Sequence, residues 1–349
     1  MDMKNFSKKI AYTILSLTVV LTAQAGNENR SGSASGSQLL INPWARSSGL
    51  MSSNMAGVKG VEGAFLNVAG LAYVKRTEVA FSNSNYMVGS DININTIALG
   101  QKIGDASVFG VSVMIMNFGE IDITSTDLPE GGVGTFSPRA SNFALSYARS
   151  FSNAIHGGLT VRVVSESISN VKATGVAFDA GIKYVTGKDD QFQFGITLKN
   201  FGPPLKFEGD GLFIDAEIVS TEAQKGLRQT SEAYEIPALL GIGGSYDFIF
   251  GDNHKLTTNA AFVSNSFSRD QFNFGAEYGL KNRFFLRAGY MLERSTQTDA
   301  ASATAYTGLG AGASVKLPMK AAHIMLDYSY RDTNPFSGVH SIGVSIALQ

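Results

Sequence analysis

Residues 270–292 read DQFNFGAEYGLKNRFFLRAGYML, and the spacing of their apolar residues decides the fold. Phe272, Phe274, Ala276 and Tyr278 occupy every second position, with Gln271, Asn273, Gly275, Glu277 and Gly279 between them. Successive side chains of a strand point to opposite faces, so this period of two separates an apolar face from a polar one. Lys281-Asn282 interrupts the pattern, and a second alternating stretch begins at residue 283. A two-residue interruption is enough for an antiparallel hairpin. The same sorting recurs elsewhere. Phe192, Phe194, Ile196 and Leu198 alternate with Gln193, Gly195, Thr197 and Lys199. Val176, Phe178, Ala180, Ile182 and Tyr184 alternate with Ala177, Asp179, Gly181 and Lys183. Near the C-terminus, Ile324, Leu326, Tyr328 and Tyr330 oppose His323, Asp327, Ser329 and Arg331.

Stretches of this kind predict strands at 77–87, 91–99, 106–117, 140–150, 156–168, 174–185, 191–200, 237–248, 255–264, 270–280, 283–292, 304–316, 320–331 and 339–348. They are about as long as a strand that crosses a bilayer, ~9–11 residues, and longer than the ~5–6 typical of soluble proteins. No helical period of similar length follows residue 25. With residue 77 on the periplasmic side, every connection longer than ten residues falls on the opposite side. Short periplasmic turns, long external loops and an even strand count are the pattern of an outer-membrane barrel. The expected fold is therefore all-β: a 14-stranded antiparallel transmembrane β-barrel over 77–349, in contact with outer-membrane lipid.

Composition agrees. Of 349 residues 38 are glycine, about 11 % against a usual ~7 %, and only 16 % are charged against ~25 %. The 28 basic and 29 acidic residues leave no basic surplus, which excludes nucleic acid as a partner. The absence of cysteine excludes disulfides, thiolate metal sites, iron–sulfur clusters and cysteine nucleophiles.

The N-terminus reads as an address. Lys4, Lys8 and Lys9 precede an apolar stretch from Ile10 to Ala23, and Ala23-Gln24-Ala25 supplies a cleavage pattern, so 1–25 is expected to be a secretory signal peptide. A flexible Gly/Ser/Asn leader over 26–37 follows. Residues 38–76 do not alternate, and they contain Pro43 and the only tryptophan, Trp44. They are expected to form a hatch or plug in the lumen. Inward glycines at 241, 243, 308, 310 and 312 would leave room for inserted backbone.

The stretch LLINPWARSSGLMSSNMAGV, followed by AFLNVAGLA, resembles the N-terminal hallmark of the PorV/PorQ family, barrels of the Bacteroidetes type IX secretion system. Leu39, Ile41, Pro43, Ala45 and Arg46 match its opening, Gly49 and Met51 its turn, and Asn67, Ala69 and Gly70 the segment before the first strand. Trp44 stands where an acidic residue is common, Val68 replaces a proline, and the chain ends Ala347-Leu348-Gln349 without a terminal aromatic. The resemblance implies a FadL-like fold with an N-terminal hatch. It also implies partners: a secretion translocon or surface attachment complex, and the C-terminal signal domains of its cargo.

No catalytic constellation emerges. His156, His254, His323 and His340 lie in four separate segments, without metal-ligand spacing. His323 and Asp327 share a face, but no Gly-x-Ser-x-Gly turn accompanies them. GLGAGAS at 308–314 lies within a strand and lacks the Lys-Ser/Thr of a phosphate loop. No enzyme activity, cofactor or metal is expected. Inward charges of both signs (Arg162, Glu166, Asp179, Lys183, Lys199, Glu277, Arg287, Asp327 and Arg331) are expected to pair strands with the hatch. The external loops carry apolar residues that point to partner binding. These are Ile121, Ile123, Leu128 and Phe136 in one loop, and Pro203, Pro204, Leu205, Phe207, Leu212, Phe213 and Ile214 in another. The leading expectation is a non-enzymatic barrel that binds cargo or a secretion partner through these loops. The alternative is a FadL-like transporter of fatty acids or other hydrophobic molecules, placed second because the inward strand faces read as polar.

Overall fold

A computed structural model describes residues 26–218, 223–293 and 305–348; the expected signal peptide, 1–25, lies outside the described residues. Fourteen long strands follow one another around a closed antiparallel barrel. They are β1 (Thr77–Tyr86), β2 (Ile92–Ile103), β3 (Ser107–Asn117), β4 (Arg139–Ser150), β5 (Ile155–Ile168), β6 (Val171–Thr186) and β7 (Phe192–Phe201). The second half comprises β8 (Leu239–Phe250), β9 (His254–Asn265), β10 (Gln271–Leu280), β11 (Phe284–Glu293), β12 (Tyr306–Pro318), β13 (Ala322–Thr333) and β14 (Val339–Leu348). The ring closes where β1 pairs with β14, from Glu78↔Ala347 to Asn85↔His340. Every strand read from the alternation is present, with ends displaced by a few residues.

The strands hold 10 to 16 residues. A ten-residue strand rises about 33 Å and, tilted by about 40°, covers the ~25 Å apolar band of an outer membrane. The outer surface supplies that band: Leu159, Ile182, Leu286, Leu309 and Ile342 are each more than half exposed. In water such a surface would be costly; in lipid it is the stable arrangement, because closure leaves no unpaired strand edge. No helix among the described residues is long and apolar enough to cross a membrane.

The long loops contain short strands that alternation did not reveal. Ile121–Asp122 pairs with Thr135–Phe136, and Phe213–Ile218 with Ala223–Arg228. Leu205–Glu208 returns to the barrel and pairs with β6, Phe207↔Ala173 and Glu208↔Lys172. The cause is a length mismatch. β6 has 16 residues and its neighbour β7 only 10, so the outer part of β6 would be a bare edge. The pairing of β7 with β6 shifts register at Asn200, whose φ is +59°, and ends at Phe201; the return strand covers the edge beyond.

Residues 37–74 lie inside the barrel as short helices and turns, including α1 (Ala45–Gly49) and α2 (Gly63–Leu66). Trp44, Val58, Val61, Phe65, Leu66 and Leu71 form a cluster with Ala80, Ala98, Val108 and Ala148 of the wall. Small wall residues make that approach possible. A Cβ at Gly310 would lie 2.8 Å from Met51 Sδ, and one at Gly241 2.9 Å from Met55 Cε. Two of the expected seating glycines act otherwise. Gly308 has a φ of +96° and lies where the β12–β13 register shifts, so it serves a bulge; Gly312 makes room for Arg287.

Candidate functional site

The inserted segment divides the lumen. After α1 the chain reverses through Met51 and Ser52, with φ of +51° and +58°. Left-handed backbone is unfavourable for side-chain-bearing residues, by about 1 kcal/mol or more each. It is held here by Ser52 N donating to Ser47 O at 2.9 Å, and by Asn42 Nδ2 donating to Ser52 Oγ at 2.9 Å. The reversal projects Met51 and Met55 toward the long-loop rim.

Above that partition is a cavity of about 440 Å³ between the inserted segment and the wall. Met51, Met55, Phe65 and Leu66 line it from the inserted segment, and Met116, Leu239, Val263 and Met291 from the strands. Tyr86, Phe118 and Tyr306 line it near the long-loop ends of their strands. Below the partition are a polar cavity of about 90 Å³ and a vestibule of about 310 Å³ that share Arg46, Glu62, Lys255 and Glu277. The upper cavity is thus largely apolar, with polar residues such as Thr197, Lys199, Gln271, Asn273 and Arg331 also on its lining, and the lower cavities are charged.

The charged half anchors the inserted segment to the wall. Arg46 Nη2 and Nε donate to Glu277 at 2.6 and 3.2 Å, and Arg287 Nε donates to the same carboxylate at 3.1 Å. Arg287 also approaches Asp327 at 3.5 Å, with Ser314 hydrogen-bonded to both. The Glu277 carboxylate, opposed by burial, holds Arg46 above its ordinary range. Glu62 accepts from Ser47 Oγ at 2.7 Å. Burial, aided by the charge of Asp327 and opposed by Arg46 and the Ser47 bond, pushes Glu62 up to about 7.

The motif residues are structural parts of the insert. Pro43 and Trp44 are buried, and Trp44 N donates to Asn42 Oδ1 at 3.0 Å. Asn67 Oδ1 accepts from Ala69 N, and its Nδ2 donates to Ile182 O of β6, both at 3.2 Å. Ala69 is fully buried, and a side chain at Gly70 would meet Val58 O at 2.7 Å. All nine inward charges read from the sequence occur on the lumenal side; Arg162 and Asp179, for example, pair at 2.6 Å.

The loop residues divide. Ile121, Ile123, Leu128, Phe213, Pro203 and Pro204 are exposed. Phe136, Phe207 and Leu212 are half-buried. Leu205 corrects the expectation of a surface position: it is fully buried against Leu39, because the strand that covers the β6 edge turns it inward. The side chain of Ile214 lies outside the described residues. The alternation did not flag the lining of the apolar cavity, because much of it comes from the irregular insert and from strand ends.

No protein-family model matches the sequence, and no curated protein is similar to it by sequence. Solved structures are similar in fold. The CymD monoaromatic hydrocarbon channel has a TM-score of 0.54 at 14 % identity, covering 88 % of this chain and 97 % of that one. A Pseudomonas aeruginosa FadL homologue has a TM-score of 0.51 at 13 % identity, covering 94 % and 98 %. The Pseudomonas putida toluene transporter TodX has a TM-score of 0.52 at 12 % identity, covering 84 % and 96 %. The chain therefore has the fold of FadL-type outer-membrane channels, and its place is the outer membrane. The first of these is named as a hydrocarbon channel and the third as a toluene transporter.

Proposed function

We propose that this protein is an outer-membrane channel for small hydrophobic molecules, which it holds between the Met51–Met55 turn and the barrel wall. The observation that carries this reading is the apolar cavity of about 440 Å³ above the partition. Burying about 150 Å² of apolar ligand at ~25 cal/mol/Å² contributes roughly 4 kcal/mol, which corresponds to millimolar affinity before ordering costs. Weak holding suits passage, because the ligand must also leave. Methionine side chains adapt to different shapes, and Met51, Met55, Met116 and Met291 all line the space. The alternative weighed second from the sequence is thus the better supported, and residues 37–74 act as its plug.

The experiment is binding of a fluorescent apolar naphthylamine by the purified barrel, with Met116→Trp/Met291→Trp filling the cavity. Binding by the wild type and its loss in the filled variant are expected; equal binding by both would contradict the reading. A second reading, recognition of secretion cargo or a translocon partner, is favoured by the exposed Ile121, Ile123, Leu128 and Phe213 and by the PorV/PorQ-like motif. Its test is purification in mild detergent. Co-recovery of secretion components or a cargo C-terminal domain supports it, and recovery of the lone barrel counts against it.

A further inference from the structure

The rim opposite the long loops is unevenly charged. In an outer-membrane barrel this rim of short turns faces the periplasm. From β10 through β14 to β1 it carries Lys281-Asn282-Arg283, then the stretch from Lys316 to His323, then Lys75-Arg76-Thr77. These segments contribute Lys75, Arg76, Lys281, Arg283, Lys316 and Lys320, and no Asp or Glu. All are exposed except Lys316, which is half-buried. Among the described residues, none of them has a carboxylate within ion-pair distance. Turns farther round the same rim mix their signs: Lys102 with Asp105, Lys188 with Asp189 and Asp190, Lys255 with Asp252.

The basic sector is held in place and reaches into the lumen. Lys281 and Asn282, with φ of +52° and +49°, form a tight turn, and Lys316 N donates to Arg283 O at 2.7 Å, which fixes that turn beside β12. Met319 N donates to Ala322 O at 2.8 Å and closes the next turn. Lys75, Lys316 and His323 line the vestibule of about 310 Å³. The carboxylates of that vestibule are already engaged: Glu277 and Asp327 with Arg287, Glu62 with Ser47, and Glu78 as acceptor of Val61 N at 3.3 Å. His323 Nδ1 and Tyr73 Oη, on the same lining, are shielded and have no hydrogen-bond partner among the described residues. At ~4.8 Å per strand, the sector from β10 to β1 runs about 24 Å along the rim, the length of about seven extended residues.

We propose that this basic sector is a docking surface for an acidic, extended segment of a periplasmic protein. Carboxylates of the segment lie along Arg76, Lys281, Arg283 and Lys320, and part of it enters the vestibule beside Lys316 and His323. Two observations favour this occupant. Cations spread over about 24 Å match a chain of charges better than one anionic group. Lys75, Lys316 and His323 line the lumen, whereas phospholipid headgroups lie outside the wall. The surface is on the rim opposite the exposed loop residues and does not depend on what the upper cavity holds. Contacts of this kind set partner choice and speed encounter, and they weaken as salt rises.

The test adds fluorescein-labelled decaglutamate or decaglutamine to the full barrel in phosphatidylcholine nanodiscs and reads fluorescence anisotropy. The wild type should bind decaglutamate about tenfold or more tightly than decaglutamine, with the preference shrinking as salt is raised. Arg76→Glu/Arg283→Glu/Lys320→Glu should weaken decaglutamate binding about tenfold or more. Lys102→Glu/Arg149→Glu/Lys188→Glu, an equal number of reversals elsewhere on the rim, should leave it within about twofold. Equal binding of the two peptides by the wild type overturns the proposal even if the first variant does not fold. Equal losses in the two variants overturn it as well, because net charge and not the sector would then be the cause. A further arm replaces part of the nanodisc lipid with phosphatidylglycerol. Decaglutamate binding that persists there supports the proposal, and its abolition would assign the sector to lipid headgroups. Soluble peptidoglycan fragments that bind the sector more tightly than decaglutamate would assign it to the cell wall and likewise overturn the proposal.

Discussion

Gly289 offers the sharpest perturbation of the inserted segment. It faces the lumen from β11, and a Cβ built there would lie 2.8 Å from Leu50 Cα, beside the Leu50 carbonyl. Carbon atoms normally rest about 3.5–4.0 Å apart, so a side chain would drive the Leu50 backbone inward by about 1 Å. That backbone leads directly into the strained Met51–Ser52 turn and has little freedom to yield. Overpacking of this kind costs about 1–3 kcal/mol, and 1–2 kcal/mol already changes an equilibrium by a factor of about 5–30. Gly289→Val should therefore shift residues 37–74 toward an undocked state while the barrel persists. Limited proteolysis should show faster cleavage within 37–74, and planar-bilayer recordings should show higher conductance. Gly244→Val is the matched control, because a Cβ there meets nothing within 4 Å. If Gly289→Val retained wild-type protease resistance and conductance, the claim that wall glycines seat the insert would be refuted.

Other perturbations test the same junction. Arg46→Met removes one of the two guanidinium groups on Glu277; with Arg287 remaining and Arg46 itself 35 % exposed, the loss should be about 1–2 kcal/mol, read as raised conductance and faster cleavage. Glu62 is pushed up to about 7 from 4.5, so docking favours its protonated form. That contribution is complete below about 4.5 and is lost as pH rises through about 7, so protease resistance of 37–74 should fall between pH 5 and pH 8. Glu62→Gln should flatten this dependence, and an unchanged profile would remove Glu62 as its source. Asn67→Ala loses both the Ala69 cap and the tie to Ile182 O, and should cost about 1–2 kcal/mol of thermal stability; no loss on calorimetry would contradict the tie.

The barrel was legible because its physical rule is local. Lipid outside and polar lumen inside force a period of two, and Phe272–Tyr278 displays it without knowledge of any partner strand. The inward charges were legible for the same reason. The irregular parts obey no such rule. Leu205 reads as a surface residue until the mismatch between β6 and β7 is known, because only that mismatch brings 205–208 back to the wall. Gly308 and Gly310 look alike in sequence, yet a bulge claims one and Met51 the other. The cavity was hidden most completely. Met51 comes from a strained turn, Met55 from the short helical turn after it, and Met116 and Met291 from strand ends, so their convergence depends on where the insert docks. Of the polar strand faces that argued against a hydrophobic ligand, Gln193, Glu277 and Asp327 line the lower cavities, whereas Thr197, Lys199, Gln271 and Asn273 line the upper one beside its apolar side chains.

The central claim is that the space between Met55, Met116 and Met291 holds a small hydrophobic molecule. An experimental structure of the barrel soaked with bromobenzene tests it most directly through the anomalous signal of bromine. A bromine peak within that cavity is the predicted result. Peaks confined to the lipid-facing surface, with the cavity empty, would contradict it.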